Sequence, residues 1–385
     1  MHKKRVLIVN KSFELGGIQS SLANLLNAIH ADYEVTLAIF NPRGPFLNRV
    51  PSDVRILKLS ALTEVLGMSL ADCKKYGTPF QLIFKMLSTG WAKVFGNALP
   101  IAVALAFQKN IGDYDVVISY HQEQNSKTMV AGFGQFSLKK CTAKKKIAWI
   151  HADFLATKLG TKRNLKTYKQ FDKIVAVSKT SMEQFVASFP ELRDKSDYCY
   201  NPLPVDEIIN SSKTEDNVFA KQADDIILFS ACRLVREKGL IPAIENLRPV
   251  FEKNRNLKWF IAGIGPEETS LRDIIQNYRL TEQVHLLGFK QNPYPYMQQA
   301  DYMFLPSLHE TFGMVAGEAH ILGTPVIASD IPVMREVLCE ADHLCVNGDF
   351  ATVIQALLEN YDASLSGKSK IILLEWKEQF ERVLE

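Results

Sequence analysis

The chain has 385 residues, of which 47% are apolar and 23% are charged. This length exceeds what one hydrophobic core usually organises, because single cores stop growing at about 250 to 300 residues. The composition is that of an ordinary globular protein and excludes a disordered, collagen-like or repeat-dominated chain. We therefore expect two folded domains.

Charge divides the chain into two parts of opposite sign. Residues 1–200 hold 28 Lys and Arg against 15 Asp and Glu, a balance of +13, and the remainder holds 17 against 27, a balance of −10. A basic half of this size indicates an anionic partner, either a phosphorylated ligand or an acidic lipid surface. We expect no nucleic acid as a partner, because the chain has no recognition motif and no basic run interleaved with aromatic residues.

Neither the cysteines nor the apolar runs indicate a metal centre or a membrane span. The six cysteines are scattered with no CxxC pair, which is typical of small buried residues in a reducing cytoplasm. The apolar run before Asn10 is too short for a signal peptide, and no later run has the roughly 20 apolar residues that cross a bilayer. We expect a cytoplasmic protein, either free or peripheral on the inner face of the cell membrane, with no metal and no bound cofactor.

Short apolar runs alternate with longer helical patterns along the chain. The predicted strands are residues 5–9, 35–40, 116–119, 147–150, 174–177, 226–230, 259–262, 284–287, 302–305 and 325–328. Continuous apolar strands that alternate with helices indicate parallel sheets covered on both faces. The sequence therefore predicts two doubly wound α/β domains, residues 1–201 and 202–367, divided at the Pro-rich segment Asn201–Pro204. A C-terminal helix at about 368–385 is expected to pack back on the first domain.

Residues 61–110 depart from this alternation. Apolar and basic residues occur there at mixed helical spacing, notably Phe84, Lys85, Trp91, Lys93 and Phe95. Apolar residues with interspersed lysines and a Trp are typical of an interfacial helix. Two interpretations remain open: a helical pair that packs within its own domain, and a surface that contacts an anionic membrane.

The residues that most strongly indicate a functional site follow the predicted strand at 302–305. A turn with Gly313 and then a helix start point backbone N–H groups at an anion, so we expect a phosphate there. Glu310 at the strand end and Glu318, expected about two turns along the helix, flank this turn. Carboxylates commonly hold sugar or ribose hydroxyls by hydrogen bonds.

Two further loops of the same domain follow predicted strands. Arg233 and Lys238 come after the strand at 226–230, where cations can neutralise a diphosphate leaving group. The tight turn Gly263–Pro266 follows the strand at 259–262. Because ligands of open parallel sheets lie beyond the carboxyl ends of the strands, we expect the site in a cleft between the two domains.

In the first domain, Gly16 and Gly17 follow the first predicted strand. Paired glycines allow the backbone to approach a ligand, but the stretch lacks the GxGxxG fingerprint and no acidic residue ends the second strand. A nicotinamide cofactor is therefore not expected. His151 follows an apolar strand, and the sequence leaves open whether it acts at the site or only caps the strand. His121, after another strand, is a weaker candidate for the acceptor side.

Together these residues resemble the retaining glycosyltransferases of family 4, which have two Rossmann-like domains facing across a cleft, the GT-B fold. The family's two glutamates, separated by seven residues, are matched by Glu310 and Glu318, and the likeness is strongest from about Ile226 to Val337. Many such enzymes build bacterial envelope and capsular polysaccharides. The resemblance implies a nucleoside diphosphate sugar as donor, with a UDP-sugar as the expected form, and a saccharide or polyprenyl-diphosphate-linked acceptor.

The resemblance also assigns roles to individual residues. Glu310 would hold hydroxyls of the donor sugar and Glu318 the ribose, while Arg233 and Lys238 would hold the diphosphate. The remaining matches are the phosphate-binding backbone of Gly313, Met314 and Val315, the donor-side glycines Gly16, Gly17 and Gly263, and His151 near the reacting sugar.

Two residues depart from the family pattern and bear on the acceptor. Gln19 stands where many members have Glu, and His320 stands where a Met is usual. Two rival functions use the same architecture: a nucleotide-sugar 2-epimerase and a non-catalytic partner subunit of another transferase. We expect a retaining hexosyltransferase, and a metal-independent one because Arg233 and Lys238 supply the positive charge that a metal would otherwise bring. A non-catalytic subunit would be expected to lose Glu310, Arg233 or Lys238, whereas product analysis without an acceptor separates the epimerase.

Overall fold

A computed structural model gives the fold and describes residues 3–340, 342–360 and 375–385. The fold class predicted from the sequence is confirmed, since the chain forms two α/β units that each contain a parallel sheet. The first unit contains Met1–Pro202 and Glu375–Glu385, and the second begins at Leu203. The domain boundary predicted from the sequence lies one residue earlier.

Parallel strands form the sheet of the first unit. In the described residues they are β1 (Arg5–Ser12), β2 (Glu34–Asn41), β3 (Arg55–Leu57), β4 (Ile111–Ser119), β5 (Cys141–Ile150), β6 (Lys173–Ala176) and β7 (Ser196–Tyr198). Their order is β3-β2-β1-β4-β5-β6-β7, with Val6 opposite Val35 on one side and Val116 on the other. Strand order reverses between β1 and β4, and the carboxyl ends of strands at such a switch point are where ligands bind.

Helices connect these strands. They are α1 (Gly17–Ile29), α2 (Ala61–Val65), α3 (Leu70–Tyr76), α4 (Pro79–Phe95), α5 (Ala98–Ala106), α6 (Phe133–Lys140), α7 (Lys162–Tyr168) and α8 (Lys179–Ser188). Helices α2 to α5 all lie between β3 and β4, so the segment that departed from the sequence pattern is a helical insertion. Across the described ranges, no helix is both long and apolar enough to span a membrane.

The structure decides the position of one residue of this insertion. Under the membrane-contact interpretation Lys85 would belong to a basic surface pattern, but its side chain is buried and its ammonium group donates to the carbonyl oxygens of Val65 and Met129, each at 3.2 Å. Burial lowers the pKa of Lys85 to about 8. Phe84 is half-buried and packs against the core of the unit. Helical spacing alone did not reveal which face of α4 meets the core.

The second unit repeats the same architecture. Its described strands are β8 (Ile226–Ala231), β9 (Leu257–Ala262), β10 (Val284–Gly288), β11 (Tyr302–Leu305), β12 (Val326–Ser329) and β13 (His343–Cys345), in the order β10-β9-β8-β11-β12-β13. The switch point lies between β8 and β11. In the core, the Trp259 indole donates to the Ser230 hydroxyl at 2.9 Å, and this hydroxyl donates to the Phe304 carbonyl at 2.5 Å.

Helices also cover the second sheet. They are α9 (Val205–Ser212), α10 (Leu240–Lys253), α11 (Glu268–Asn277), α12 (Tyr294–Gln299), α13 (Met314–Leu322), α14 (Pro332–Val337) and α15 (Phe350–Glu359). Helix α13 connects β11 to β12, so it begins at the carboxyl end of β11. This places its first turn beside the switch point of the sheet.

The final helix, α16 (Trp376–Leu384), belongs to the first unit. The Phe380 ring lies 6.2 Å from that of Trp149, and the Gln379 side chain accepts a hydrogen bond from the Tyr200 N–H at 2.8 Å. The predicted start of this helix at residue 368, and the predicted domain end at 367, lie outside the described residues.

Three short strands were not predicted. β3, β7 and β13 have three residues each and lie at sheet edges. Their side chains are mostly half-buried or exposed, so they lack the continuous apolar runs that mark the central strands. Pairing with a neighbouring strand, rather than local pattern, places them in the sheet.

Candidate functional site

Loops at the carboxyl ends of β8, β9 and β11 are joined by backbone hydrogen bonds. The N–H of Leu234, after β8, donates to the carbonyl of Ile264, after β9, at 3.0 Å. The N–H of Leu308, after β11, donates to the carbonyl of Glu237 at 2.8 Å. The three loops on which the sequence placed donor-binding residues are therefore side by side at the switch point.

Two glycines permit this arrangement. A Cβ atom on Gly263 would lie 1.8 Å from the carbonyl oxygen of Cys232, so a side chain there would push the β8 and β9 loops apart. Gly313 has a φ of 78°, a left-handed conformation that glycine adopts without steric cost. It directly precedes α13 and sets the direction in which that helix leaves the strand end.

A charged cluster lies between the β8 and β11 loops. Lys238 ends a 3₁₀ turn, and its ammonium group contacts Oε1 of Glu310. The Ser307 hydroxyl donates to the same oxygen at 2.9 Å. The side chains of Lys238 and Glu310 are 21% and 19% exposed. An ammonium has three donors and a carboxylate has a second oxygen, so both groups keep hydrogen-bonding capacity beyond this contact.

The other residues predicted to bind the donor lie in helix α13 and in the β8 loop. Helix α13 begins at Met314, and its N-cap residue Gly313 has no side chain to cap it. The N–H groups of Met314 and Val315 belong to the first turn, where no intrahelical carbonyl accepts them and the helix dipole is positive. Glu318 is half-buried at the fifth helical position, so it lies one turn into the helix rather than the expected two. Arg233 is exposed in the β8 loop.

His320, one of the two residues that depart from the family pattern, contacts the side chain of Asp342. Its buried Nε2 lies 2.8 Å from the Asp342 carboxylate, which also accepts the backbone N–H groups of Val326 and Cys339 at 2.8 Å. Burial raises the pKa of Asp342, but the hydrogen bonds from His320 and from the backbone N–H groups of Cys339 and Val326 favour the carboxylate, so the pKa lies below its usual value. His320, Cys339 and Asp342 offer ligand atoms within 4.8 Å of one another. Because the carboxylate is already engaged by three donors, we interpret this group as a link between α13 and β13.

In the first unit, the glycine pair lies at the carboxyl end of β1. Gly16 precedes α1, and a Cβ atom there would lie 2.6 Å from Oε1 of Gln19, which is buried. Gly17 is the first residue of α1, and a Cβ atom there would meet no described atom within 4 Å. The backbone of Gly17 is therefore accessible beside the switch point, whereas Gln19 points into the protein.

The two candidate histidines lie at neighbouring strand ends of the same unit. His151 directly follows β5, and its ring centre is 4.6 Å from that of Tyr120. His121 follows Tyr120, and its ring centre is 4.9 Å from that of Phe133. The Tyr120 hydroxyl lies 2.7 Å from the Ser21 hydroxyl on α1. Tyr120 was not predicted from the sequence as a residue of the site. Its position between β4 and His121 is the only sequence feature that indicates such a role.

Both histidines are buried and neutral. Burial lowers the pKa of His121 to about 3. Burial lowers the pKa of His151 to about 3 as well, and the neighbouring His121 adds to this shift. Within the described parts of the chain, Nε2 of His151 and Nδ1 of His121 have no hydrogen-bond partner. A buried imidazole nitrogen without a partner is costly for folding alone, and it leaves a hydrogen-bonding position for a ligand.

These shifts predict that the protein loses stability in mild acid. The unfolded histidines bind protons near pH 6.5, whereas the folded ones stay neutral to about pH 3. Linkage then lowers the free energy of unfolding by about 2 kcal/mol per histidine between pH 7 and pH 5. Urea unfolding at both pH values measures this loss. The His121→Gln/His151→Gln variant should show a shallower pH dependence, and an unchanged dependence would contradict the assignment.

The site residues of the second unit fall within a segment that matches a known family. Residues 211–368 match the family model for glycosyl transferases group 1. The curated relatives include the O-antigen biosynthesis glycosyltransferase WclY of Escherichia coli, 29% identical over 180 residues that are 46% of this chain and 48% of the relative. The chain thus spans about half the length of the curated relatives it matches.

Another relative and a solved structure extend the comparison. A Campylobacter jejuni enzyme, named as an N-acetylgalactosaminyltransferase that acts on a diphospho-undecaprenol-linked saccharide, is 30% identical over 42% of each chain. The crystal structure of Anabaena HepE with UDP and glucose aligns over 100% of this chain and 99% of HepE, with a TM-score of 0.69 and 16% identity. This structural likeness shows a shared fold.

Proposed function

We propose that the protein is a glycosyltransferase that moves a sugar from a nucleoside diphosphate sugar to a hydroxyl of a saccharide acceptor in envelope polysaccharide synthesis. The observation that carries this proposal is the cluster of Lys238, Glu310 and Ser307 beside the first turn of α13. The group 1 match over the same residues and the O-antigen relative support it.

The cluster suits a sugar diphosphate because it combines opposite charges at short range. The ammonium of Lys238 and the exposed guanidinium of Arg233 attract the diphosphate, and the N–H groups at the start of α13 bind its oxygens. Glu310, held through Oε1 by Lys238 and Ser307, accepts sugar hydroxyls through Oε2. We assign the ribose hydroxyls to Glu318. The UDP in the HepE structure favours a UDP-sugar among the donors.

We propose transfer with retention at the anomeric carbon. The bond from that carbon to the diphosphate oxygen breaks, the acceptor oxygen forms a new bond on the same face, and the acceptor proton passes to the leaving phosphate. Arg233 and Lys238 stabilise the charge that develops on the diphosphate, so we expect metal-independent catalysis. His151 is neutral, and its Nε2, which has no partner among the described residues, forms a hydrogen bond at the reacting sugar.

The proposed acceptor follows from the name of one relative. The Campylobacter relative is named for an undecaprenyl-diphosphate-linked substrate. We therefore propose a saccharide acceptor carried on a polyprenyl diphosphate, with His121 on the acceptor side.

Donor binding provides the direct test. A nucleoside diphosphate sugar at about 100 times its dissociation constant stabilises the folded chain by roughly 2.7 kcal/mol, which raises the unfolding temperature. We expect UDP-sugars to give this shift in a thermal unfolding screen. Arg248→Ala, on the exposed face of α10, should keep the shift, and Lys238→Ala should lose it. A screen in which no nucleotide sugar shifts the wild-type protein would contradict the donor assignment.

Product analysis then distinguishes the reaction from its rivals. A glycosyltransferase with donor and acceptor releases nucleoside diphosphate and forms a lengthened saccharide. A 2-epimerase would instead convert the donor sugar without an acceptor. Donor binding without turnover in a membrane extract that holds lipid-linked saccharides would favour the non-catalytic partner.

A further inference from the structure

Tyr120 lies just beyond the end of β4 and is held by the neighbouring strands. Its side chain is buried, and its N–H donates to the Val9 carbonyl of β1 at 2.9 Å. Its ring is stacked on Trp149 of β5, with ring centres 5.6 Å apart and an angle of 29° between the planes. On the same strand end, the His151 ring centre lies 4.6 Å from that of Tyr120. The Tyr120 ring is therefore packed directly against the imidazole of His151.

A chain of buried hydrogen bonds begins at the Tyr120 hydroxyl. The Ser21 hydroxyl of α1 lies 2.7 Å from it and donates to Oδ1 of Asn201 at 2.5 Å. Because a serine hydroxyl has a single proton, Tyr120 must be the donor to Ser21. Burial raises the pKa of Tyr120 well above its usual value, so its hydroxyl keeps this proton at neutral pH. We call Tyr120, Ser21 and Asn201 the hydroxyl chain.

Helix α1 also anchors the far end of the hydroxyl chain. Asn24, one turn after Ser21, donates its amide to the Pro202 carbonyl at 3.1 Å, and its Oδ1 accepts from the Arg49 guanidinium at 3.1 Å. Ser21, Asn24 and Asn201 are all buried. Two side chains on one face of α1 therefore hold the segment at the end of the first unit, which keeps the Asn201 acceptor in place.

His151 has a second contact with Tyr120, through the backbone. Burial and the neighbouring His121 lower the pKa of His151, whereas a hydrogen bond with the Tyr120 backbone raises it. A backbone group that raises the pKa of a histidine accepts from its ring, so the acceptor is the Tyr120 carbonyl. Nε2 has no partner among the described residues, which leaves Nδ1 as the donor. Nδ1 therefore carries the proton of the neutral ring, and Nε2 presents a lone pair.

This tautomer decides what His151 can bind. A nitrogen with a lone pair accepts a hydrogen bond from a hydroxyl, whereas an ionised carboxylate or phosphate oxygen has no proton to offer it. A change of tautomer would turn Nε2 into a donor. The bond to the Tyr120 carbonyl favours the first form, and the packed Tyr120 ring keeps the imidazole in the orientation that makes this bond.

We propose that Tyr120 is a positioning residue that fixes His151, through its carbonyl and its tethered ring, as the acceptor of a hydrogen bond from a hydroxyl of the reacting sugar. Tyr120 acts through His151, and the hydroxyl chain holds its ring against the imidazole. The proposal rests on the proposed function, because it takes His151 to lie at the reacting sugar. It adds a requirement on the substrate, which must present a hydroxyl rather than a carboxylate to Nε2.

NMR of the imidazole nitrogens tests the proposal without any sugar. The full chain carries isotopically labelled histidine, and His151→Gln assigns the signals of His151. In the wild type at pH 7 we expect a protonated Nδ1 and an unprotonated Nε2. Tyr120→Phe and Ser21→Ala should each move both signals towards the average of the two tautomers, because the ring is no longer held in one orientation.

Turnover measures the same effect in the proposed reaction. Tyr120→Phe keeps the ring and removes only the hydroxyl, so it should lower turnover about fivefold, the scale of one hydrogen bond, with little change in donor KM. Ser21→Ala should match it, and the combined variant should be no slower than either alone. In a His151→Ala background, Tyr120→Phe should lower turnover less than about twofold, because the residue through which Tyr120 acts is gone.

Tyr114→Phe is the matched control. Tyr114 is buried on β4, towards the amino end of the same strand, and its replacement should leave the His151 signals and turnover unchanged. A proton on Nε2 in the wild type would overturn the proposal. So would fully multiplicative losses in Tyr120→Phe/His151→Ala, or a Tyr120→Phe variant that unfolds earlier but keeps wild-type signals and turnover. If the wild type transferred no sugar, the proposed function would fail, and the NMR signals would still decide whether Tyr120 fixes His151.

Discussion

Replacing Glu310, Lys238 or Arg233 by Ala is expected to lower sugar transfer by at least about a hundredfold, the scale of losing one preorganised charge contact. In the proposed site, Lys238→Ala removes both the proposed diphosphate contact and the ammonium group that contacts Glu310. Glu310→Ala removes the proposed acceptor for the sugar hydroxyls and the partner of that ammonium group. Steady-state turnover with a UDP-sugar and its acceptor measures the effect.

Two companion variants separate the roles within this site. Glu318→Ala should mainly weaken donor binding, because it is assigned to the ribose rather than to the reacting centre. Arg248→Ala removes a cation that pairs with Glu252 on α10, away from the strand ends, and should leave turnover unchanged. Thermal unfolding should show that all variants remain folded. Near wild-type turnover in both Arg233→Ala and Lys238→Ala would disprove the diphosphate assignment.

His151→Ala is expected to lower turnover about 10- to 100-fold with a smaller effect on donor affinity, on the scale of one strong hydrogen bond. The physical reason is that its Nε2 is buried and without a partner among the described residues, so its hydrogen bond is available to the reacting sugar. His151→Gln keeps a polar group in the same place and should recover part of the turnover. Turnover number and donor KM are measured together.

Thermal stability and specific activity of the same variants distinguish a role of His151 at the reacting sugar from a purely structural role. If His151 only fills space beside Tyr120, His151→Ala should unfold several degrees earlier and keep its specific activity. That result would make the histidine structural. A neutral imidazole also predicts that turnover does not follow a histidine titration between pH 6 and 8, because the pKa of His151 is about 3.

Local pattern was enough to predict the central strands and the class of the fold. Runs such as Val6–Val9 and Tyr302–Leu305 are buried on both faces, so every residue must be apolar and the run is visible without its neighbours. The loops after such strands were equally visible, which is why Arg233, Glu310 and Gly313 could be named as candidates. Carboxyl ends of parallel strands meet at one edge, so sequence position implies proximity.

Contacts between residues that are distant in the sequence could not be predicted from local sequence pattern. The pairing of Lys238 with Glu310 and the hydrogen bond between His320 and Asp342 depend on how loops cross, not on spacing. The low pKa of His151 likewise arises from burial among strand ends that are far apart in the chain. A hydrogen bond or a desolvated ring is a property of the assembled unit.

Composition and runs of buried residues were sufficient to predict two tandem α/β units, a basic first half and a set of charged residues at strand ends. Which of these residues contact one another depends on the folded chain. The tertiary structure turned Lys85 inward and the apolar side of α4 outward, since the carbonyls of Val65 and Met129 could satisfy the buried ammonium. Helical periodicity fixes the angle between residues on a helix, whereas the choice of buried face depends on the partners that the rest of the fold provides.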